Sequence, residues 1–226
     1  MQSTRLGKYQ IWYENSEEFY ELKKEIFGEN IYYLEINKVD PIIVDLGAHI
    51  GMTTLYYKSL FPRAKIWAYE PHPDNFALLK KNIEENQIEN VEIIQAAVAP
   101  KTGLLLLNDP IEDNAWKSGM GIIPRGWKGI QTTREVQVEA VGINQVLNRK
   151  IDIFKIDIEG MEYEVVRAAG LELKRVQHIL IEVHPREGHR LEEIEKNLLQ
   201  QGFKIETHKD RSNLGKGLVR IHAVLK

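Results

Sequence analysis

The sequence predicts an α/β domain built on a doubly wound, mostly parallel sheet. Three observations carry that reading. From about residue 40 onward, short apolar runs alternate with stretches of helical period, as in a sheet covered on both faces. The first two runs, "PIIVDLG" (41–47) and "AKIWAYE" (64–70), each close on an acid at the carboxyl edge, where such sheets bind ligands. The last two, "FKIETHK" and "GLVRIHAVLK", have no helix between them and read as an antiparallel hairpin.

The N-terminal stretch 1–40 holds a helix near 16–27 and reads as a cap on the sheet rather than a separate domain. After the first strand, "MTTLYYKSLF" (52–61) suits a helix. After the second, "PDNFALLKKNIEENQ" (73–87) sets Phe76, Leu79 and Ile83 on one helical face. "NVEIIQAAV" (90–98) is a third strand. The alternation then lapses, with strands at 103–110 and 134–141 around a polar, aromatic segment, 108–133. It resumes with "IDIFKIDIEG" (151–160), a helix near 160–169 capped by Gly170, "QHILIEVHP" (177–185), and a helix near 187–201 stopped by Gly202. Residues 41–226 thus form one domain, with 108–133 as a lid-like insertion.

The composition narrows the function. With 226 residues, of which 43% are hydrophobic, the chain can bury one sizeable core. A net charge of -3 argues against a protein that grips nucleic acid through its phosphates. The absence of cysteine excludes disulfides, thiolate zinc sites and cysteine nucleophiles. "MQSTRLGKYQIWYENSEEFY" has no apolar core of a leader, and no run approaches membrane-span length. The expectation is a cytoplasmic protein without membrane insertion; no pattern specifies an oligomeric state.

The first strand runs into "VDLGAHIGMTT" (44–54), where Gly47 and Gly51 let the backbone turn sharply beside a helix N-terminus. Two ligand classes compete for such a loop. A dinucleotide site wants a middle glycine, but here His49 crowds the pyrophosphate, and Asp45 would face it as a like charge. A cation without phosphates suits Asp45 better, and S-adenosylmethionine carries an ammonium and a sulfonium. Glu70 ends the second strand, placed to accept both ribose hydroxyls. Pro71 and His72 form one wall of an adenine slot, with Ala96 and Ala97 as the other. The expected cofactor-binding set is Asp45, Gly47, Ala48, His49, Gly51, Thr53, Glu70, Pro71, His72, Ala96 and Ala97.

"VDLGAHIGMTT", the Glu-Pro of "YEPHPDNFALLKKNI" and above all "FKIDIEGMEYEVV" resemble the FkbM family of S-adenosylmethionine-dependent methyltransferases over about residues 40–185. The resemblance implies a Rossmann-like class I methyltransferase sheet of seven strands with the last one antiparallel. It also implies methyl transfer, usually to a hydroxyl oxygen of a sugar, polyketide or other natural product.

Methylating an alcohol needs a group that takes its proton. On the strand at 151–158, Lys155, Asp157 and Glu159 share a face, and the neighbouring run brings Glu182 and His184 to the same edge. Asp157, His184 and Glu159 are therefore the candidate catalytic groups, His184 because an unperturbed imidazole titrates near neutrality. Lys155 reads as a structural cation paired with Glu182 or another buried acid, and Glu162 as a helix first-turn acid. The same acids resemble a divalent-metal site, but without tight ligand spacing the reading is of no metal. In the insertion, Trp116 and Trp127 suit stacking on a planar or sugar substrate, and Lys117, Arg125 and Lys128 suit anionic groups; equally, the tryptophans anchor the loop. Tyr32, Tyr33 and Trp12 are candidates from the cap. The competing functions are an RNA or protein methyltransferase, and a non-catalytic or NAD-type nucleotide-binding protein.

Overall fold

A computed structural model describes residues 1–111, 116–117, 121–122, 133–184, 191–209 and 218–226. The chain opens with an antiparallel hairpin, β1 (Gln2–Leu6) and β2 (Tyr9–Tyr13). Helix α1 (Ser16–Lys23) follows, capped by the Asn15 side chain accepting from Glu18 N at 3.1 Å, and runs into a π turn, Lys24–Gly28. The alternating core comprises β3 (Ile42–Leu46), α2 (Met52–Leu60), β4 (Lys65–Tyr69), α3 (Pro73–Glu85) and β5 (Val91–Ile94). A three-stranded sheet intervenes, made of β6 (Ala97–Ala99), β7 (Gly103–Pro110) and β8 (Thr133–Gly142). Then come α4 (Ile143–Val146), β9 (Ile151–Ile156), α5 (Glu162–Ala169), β10 (Val176–Val183), α6 (Leu191–Gln200), β11 (Phe203–Lys209) and β12 (Val219–Leu225).

The main sheet has seven strands in the order β11-β12-β10-β9-β3-β4-β5. β12 runs antiparallel to both β10 and β11, while β3, β4, β5, β9 and β10 pair in parallel. The strand order reverses between β3 and β9, so the connections leaving their carboxyl ends turn to opposite faces of the sheet and leave a crevice at that edge. Period-two alternation divides the strands between two apolar clusters. Val44, Leu46, Phe154, Ile156, Ile179 and Ile181 pack with α5, α6 and the small sheet. Ile43, Ile66, Ala68, Ile153 and Leu180 pack with α2, α3 and the N-terminal segment.

Two expectations change. The third strand does not run through 90–98: β5 ends at Ile94, a tight turn puts Ala96 N on Ile94 O at 3.0 Å, and β6 joins β8 in the second sheet. The N-terminal stretch holds a hairpin as well as a helix, and α3 clasps it. Asn82 accepts from Trp12 N (2.7 Å) and donates to Trp12 O (3.0 Å) and Ile50 O (2.8 Å). One turn on, Asn86 pairs with both backbone groups of Gln10. The start of the helix near 187–201 and most of 108–133 lie outside the described residues. Among the described residues, no helix is long and apolar enough to cross a membrane.

Asn82 is wholly buried, so Asn82→Ala strands three backbone groups at once. The expected loss is about 2–4 kcal/mol, read as a melting temperature lower by roughly 4–16 °C. A variant melting with the wild type would show that the clasp contributes nothing.

Candidate active site

The crevice is framed first by the loop after β3. Gly47 has φ +74°, and a Cβ there would lie 1.8 Å from the carbonyl oxygen of Asp157, so β3 and the end of β9 approach too closely for any side chain. His49 adopts a left-handed φ of +50°, uncommon outside glycine. That bend aims its N–H at Glu70 Oε2, 2.8 Å away. Glu70 Oε1 accepts from His72 N at 2.9 Å. Burial raises the Glu70 carboxyl to about 7, against the pull of these two N–H donors. One carboxylate thus locks the ends of β3 and β4 together and keeps its remaining lone pairs for a ligand.

Beneath the loop lies a buried ion cluster. Asp45 and Lys155 are register partners across β3 and β9, on the face toward α2. Lys155 Nζ is 3.3 Å from Asp45 Oδ1 and 3.2 Å from Asp157 Oδ2, and it donates to Gly47 O at 2.8 Å. Burial works against its charge, but Asp157 and Asp45 outweigh that and hold the ammonium protonated well above its ordinary range. Thr54 donates to Asp45 Oδ2 at 2.8 Å. Of the partners expected for Lys155, Glu182 or another buried acid, the structure gives the second, since Glu182 Oε2 accepts from Arg220 Nε at 3.1 Å. Asp45 is also displaced from its expected place at the ligand. Its carboxylate is fully buried and taken by Lys155 and Thr54, so it does not line the crevice.

The other end of the crevice gathers around His184. Its Nδ1 lies 2.9 Å from Glu162 Oε1, and its Nε2 lies 3.4 Å from Glu159 and 3.9 Å from Asp157. Glu162 also accepts from Gly160 N (3.0 Å) and Ile158 N (3.3 Å), so the acid read as a first-turn charge is the brace that orients His184. Burial would discharge the imidazole, yet Glu159 and Glu162 raise it well above its usual value. The premise of a free base near neutrality fails for this histidine, which is held as a cation. Burial, with Asp157, Glu162 and Glu182 nearby, lifts Glu159 to about 8 despite His184. Asp157 stays ionised: burial opposes its charge, but Lys155 and His184 pull its carboxyl below the ordinary range.

Of the expected set, Gly47, Ala48, His49, Thr53, Glu70, Pro71, His72, Ala96, Ala97, Asp157, Glu159 and His184 line one crevice. Gly51 does not; its φ of +91° opens α2, and the space its Cβ would need is filled by Leu79. His72 also caps α3, its Nδ1 accepting from Asp74 N at 3.3 Å. Tyr32 reaches the site from the cap, its hydroxyl 3.2 Å from Asp157 Oδ2. Tyr33 is exposed, and Trp12 lies under Lys81. Trp116 and Lys117 line the crevice, with Lys117 tied to Asp74 at 2.6 Å; Trp127, Arg125 and Lys128 lie outside the described residues. Asp157, Glu182 and His184 offer ligand atoms within 4.8 Å of one another. A divalent cation there would compete with Lys155 and Arg220 for the same carboxylates.

This sheet order, with one reversed strand beside its edge, defines a Rossmann-like class I methyltransferase fold. The crystal structure of methyltransferase FkbM from Methylobacillus flagellatus KT shares it, with a TM-score of 0.58 and 14% identity over 84% of this chain and 45% of that one. The chain belongs to the methyltransferase FkbM domain family, whose model matches residues 45–205. It is similar to methyltransferase 1 of Beauveria bassiana, 29% identical over 65% of this chain and 65% of that protein's length. It is also similar to the 31-O-demethyl-FK506 methyltransferase FkbM of Streptomyces tacrolimicus, 25% identical over 84% of this chain and 83% of the relative.

The charge states set a pH dependence. Glu159 and His184 both bind protons more tightly folded than unfolded, so their contributions are complete at low pH and fade as pH rises. For Glu159 that window runs from the ordinary 4.5 to about 8. Asp157 acts oppositely, its contribution disappearing only as pH falls below the ordinary 3.8. The melting temperature should decline on the alkaline side, and Glu159→Gln should flatten the decline up to pH 8. An unchanged slope in the variant would contradict the assignment.

Proposed function

We propose that the protein is an S-adenosylmethionine-dependent O-methyltransferase acting on a hydroxyl of a small molecule. One observation carries the reading: a single crevice holds the buried Glu70 carboxyl and the Asp157 carboxylate, with the Gly47–His49 loop between them. The residues fit the cofactor. Glu70 accepts from the ribose hydroxyls, Pro71 and Ala96–Ala97 flank the adenine, and the loop backbone approaches the methionine part. Asp45 acts at one remove, through Lys155, rather than by contact. When bound, the cofactor supplies a sulfonium methyl for in-line displacement by an oxygen nucleophile.

Asp157 is the group that accepts the hydroxyl proton, since it alone of the three candidates stays ionised with its carboxylate open to the crevice. The His184 cation stabilises that carboxylate, and Glu159, 3.4 Å from His184 Nε2, helps to hold the imidazole in place. The cap brings Leu22, Ile26 and Ile31 to the acceptor end together with Glu21 and Glu25. Such a wall favours a neutral hydroxyl compound with an apolar body, and its acids repel a phosphate backbone, which disfavours RNA. The relative named 31-O-demethyl-FK506 methyltransferase supports an oxygen as the atom methylated.

The test is labelled methyl transfer onto a panel of neutral sugars and polyketide alcohols, beside uronates and RNA, with affinity for S-adenosylhomocysteine measured in parallel. Asp157→Asn should leave that affinity intact and lower transfer by about 10²-fold or more. Glu70→Ala should weaken the affinity by about 1–3 kcal/mol. Undiminished turnover in the first variant removes Asp157 from the chemistry, and undiminished affinity in the second removes Glu70 from the ribose.

A further inference from the structure

Methyl transfer to an alcohol releases one proton, and with both ligands in place the open face of Asp157 is covered by them. Resting on Asp157 as the first acceptor, we infer that Tyr32 relays this proton onward to Glu182. The Tyr32 hydroxyl stands between the two carboxylates, 3.2 Å from Asp157 Oδ2 and 3.4 Å from Glu182 Oε2. A phenol carries one proton, so it donates to one carboxylate while its oxygen faces the other. Protonated Asp157 passes its proton to the Tyr32 oxygen as Tyr32 gives its own to Glu182. The O–H bond on Asp157 breaks, one forms on Glu182, and the tyrosine ends neutral. Glu182 lies beside Arg220, whose Nη2 is 3.9 Å from Glu25 Oε1, at the partly exposed rim where the proton leaves to water.

The other groups around Asp157 are closed to this proton. Lys155 is already an ammonium, and His184 already an imidazolium. Glu159, raised to about 8, is mostly protonated at neutral pH. Glu182 differs: burial and then the Asp157 charge raise its affinity for a proton, whereas Asp157 is held low, so transfer runs outward. Tyr32 itself is kept from ionising, first by burial and then by Asp157 and Glu182, against Arg220. It serves as a conduit rather than a base. Both Tyr32 and Arg220 lie outside the span matched by the family model.

The experiment compares Tyr32→Phe, Glu182→Gln and the double variant with the wild type, on the acceptor the wild type methylates in the panel above. A relay predicts that Tyr32→Phe keeps its affinity for S-adenosylhomocysteine and its acceptor KM, while kcat falls at least about tenfold. Imidazole, as an external proton carrier, should restore that rate in proportion to its concentration and leave the wild type unaffected. The double variant should be no slower than the slower single one. Wild-type kcat in Tyr32→Phe, a slow rate indifferent to imidazole, or losses that multiply would each overturn the relay. Should Tyr32→Phe fail to fold, Glu182→Gln with imidazole decides alone. A wild type that binds S-adenosylhomocysteine yet methylates nothing overturns the transferase reading, and the relay with it.

Discussion

The Lys155 ammonium, buried between Asp45 and Asp157, is the interaction on which the site depends. A charge taken out of water costs several kcal/mol unless it is paired and fully hydrogen-bonded. Here the pairing spans the point where the strand order reverses. The same Nζ reaches the carbonyl oxygens of Leu46 and Gly47, so it fixes the end of β3, the loop and the end of β9 relative to one another. The absence of a side chain at Gly47 lets these parts close to this distance. Without Lys155, Asp45 would be an uncompensated charge in the core, and Asp157 would lose the neighbour that keeps it ionised.

From that cluster the charge pattern spreads in an ordered way. Acids crowd the carboxyl edge, and burial sorts them into different states. Asp157, next to the ammonium, remains a carboxylate. Glu159, facing other acids, holds its proton up to about 8. Glu162 takes N–H donors from the turn before α5 and from His184, and so converts a helix-terminal acid into a scaffold for the imidazole. In the function proposed above, this edge attracts a methyl donor carrying positive charge and leaves one ionised carboxylate to accept the departing proton.

Much of this was legible in the sequence because local pattern and site coincide. Apolar runs ending in Asp45 and Glu70, and the glycine at 47, report a strand edge shaped for a ligand, and the structure puts Glu70 and Gly47 on one crevice. Other features rest on contacts distant in sequence. The hairpin 2–13 has weak alternation of its own and is held by Asn82 and Asn86, some seventy residues away. Tyr32 reaches Asp157 across 125 residues, which no spacing rule can show. The break at Gln95 was hidden because "EIIQAAV" is apolar enough to read as one strand. Glu162 left a readable trace: an acid two residues after Gly160 is well placed to reach back to the N–H groups of that turn. The protonation of His184 left none, since three-dimensional crowding by acids, rather than residue type, decides it.

The most direct measurement is a crystal structure of the protein soaked with S-adenosylhomocysteine. The account predicts both ribose hydroxyls on Glu70, adenine between Pro71 and Ala96–Ala97, and the sulfur turned toward Asp157. A nucleoside bound with its ribose away from Glu70, or its sulfur directed away from the acidic edge, would contradict it.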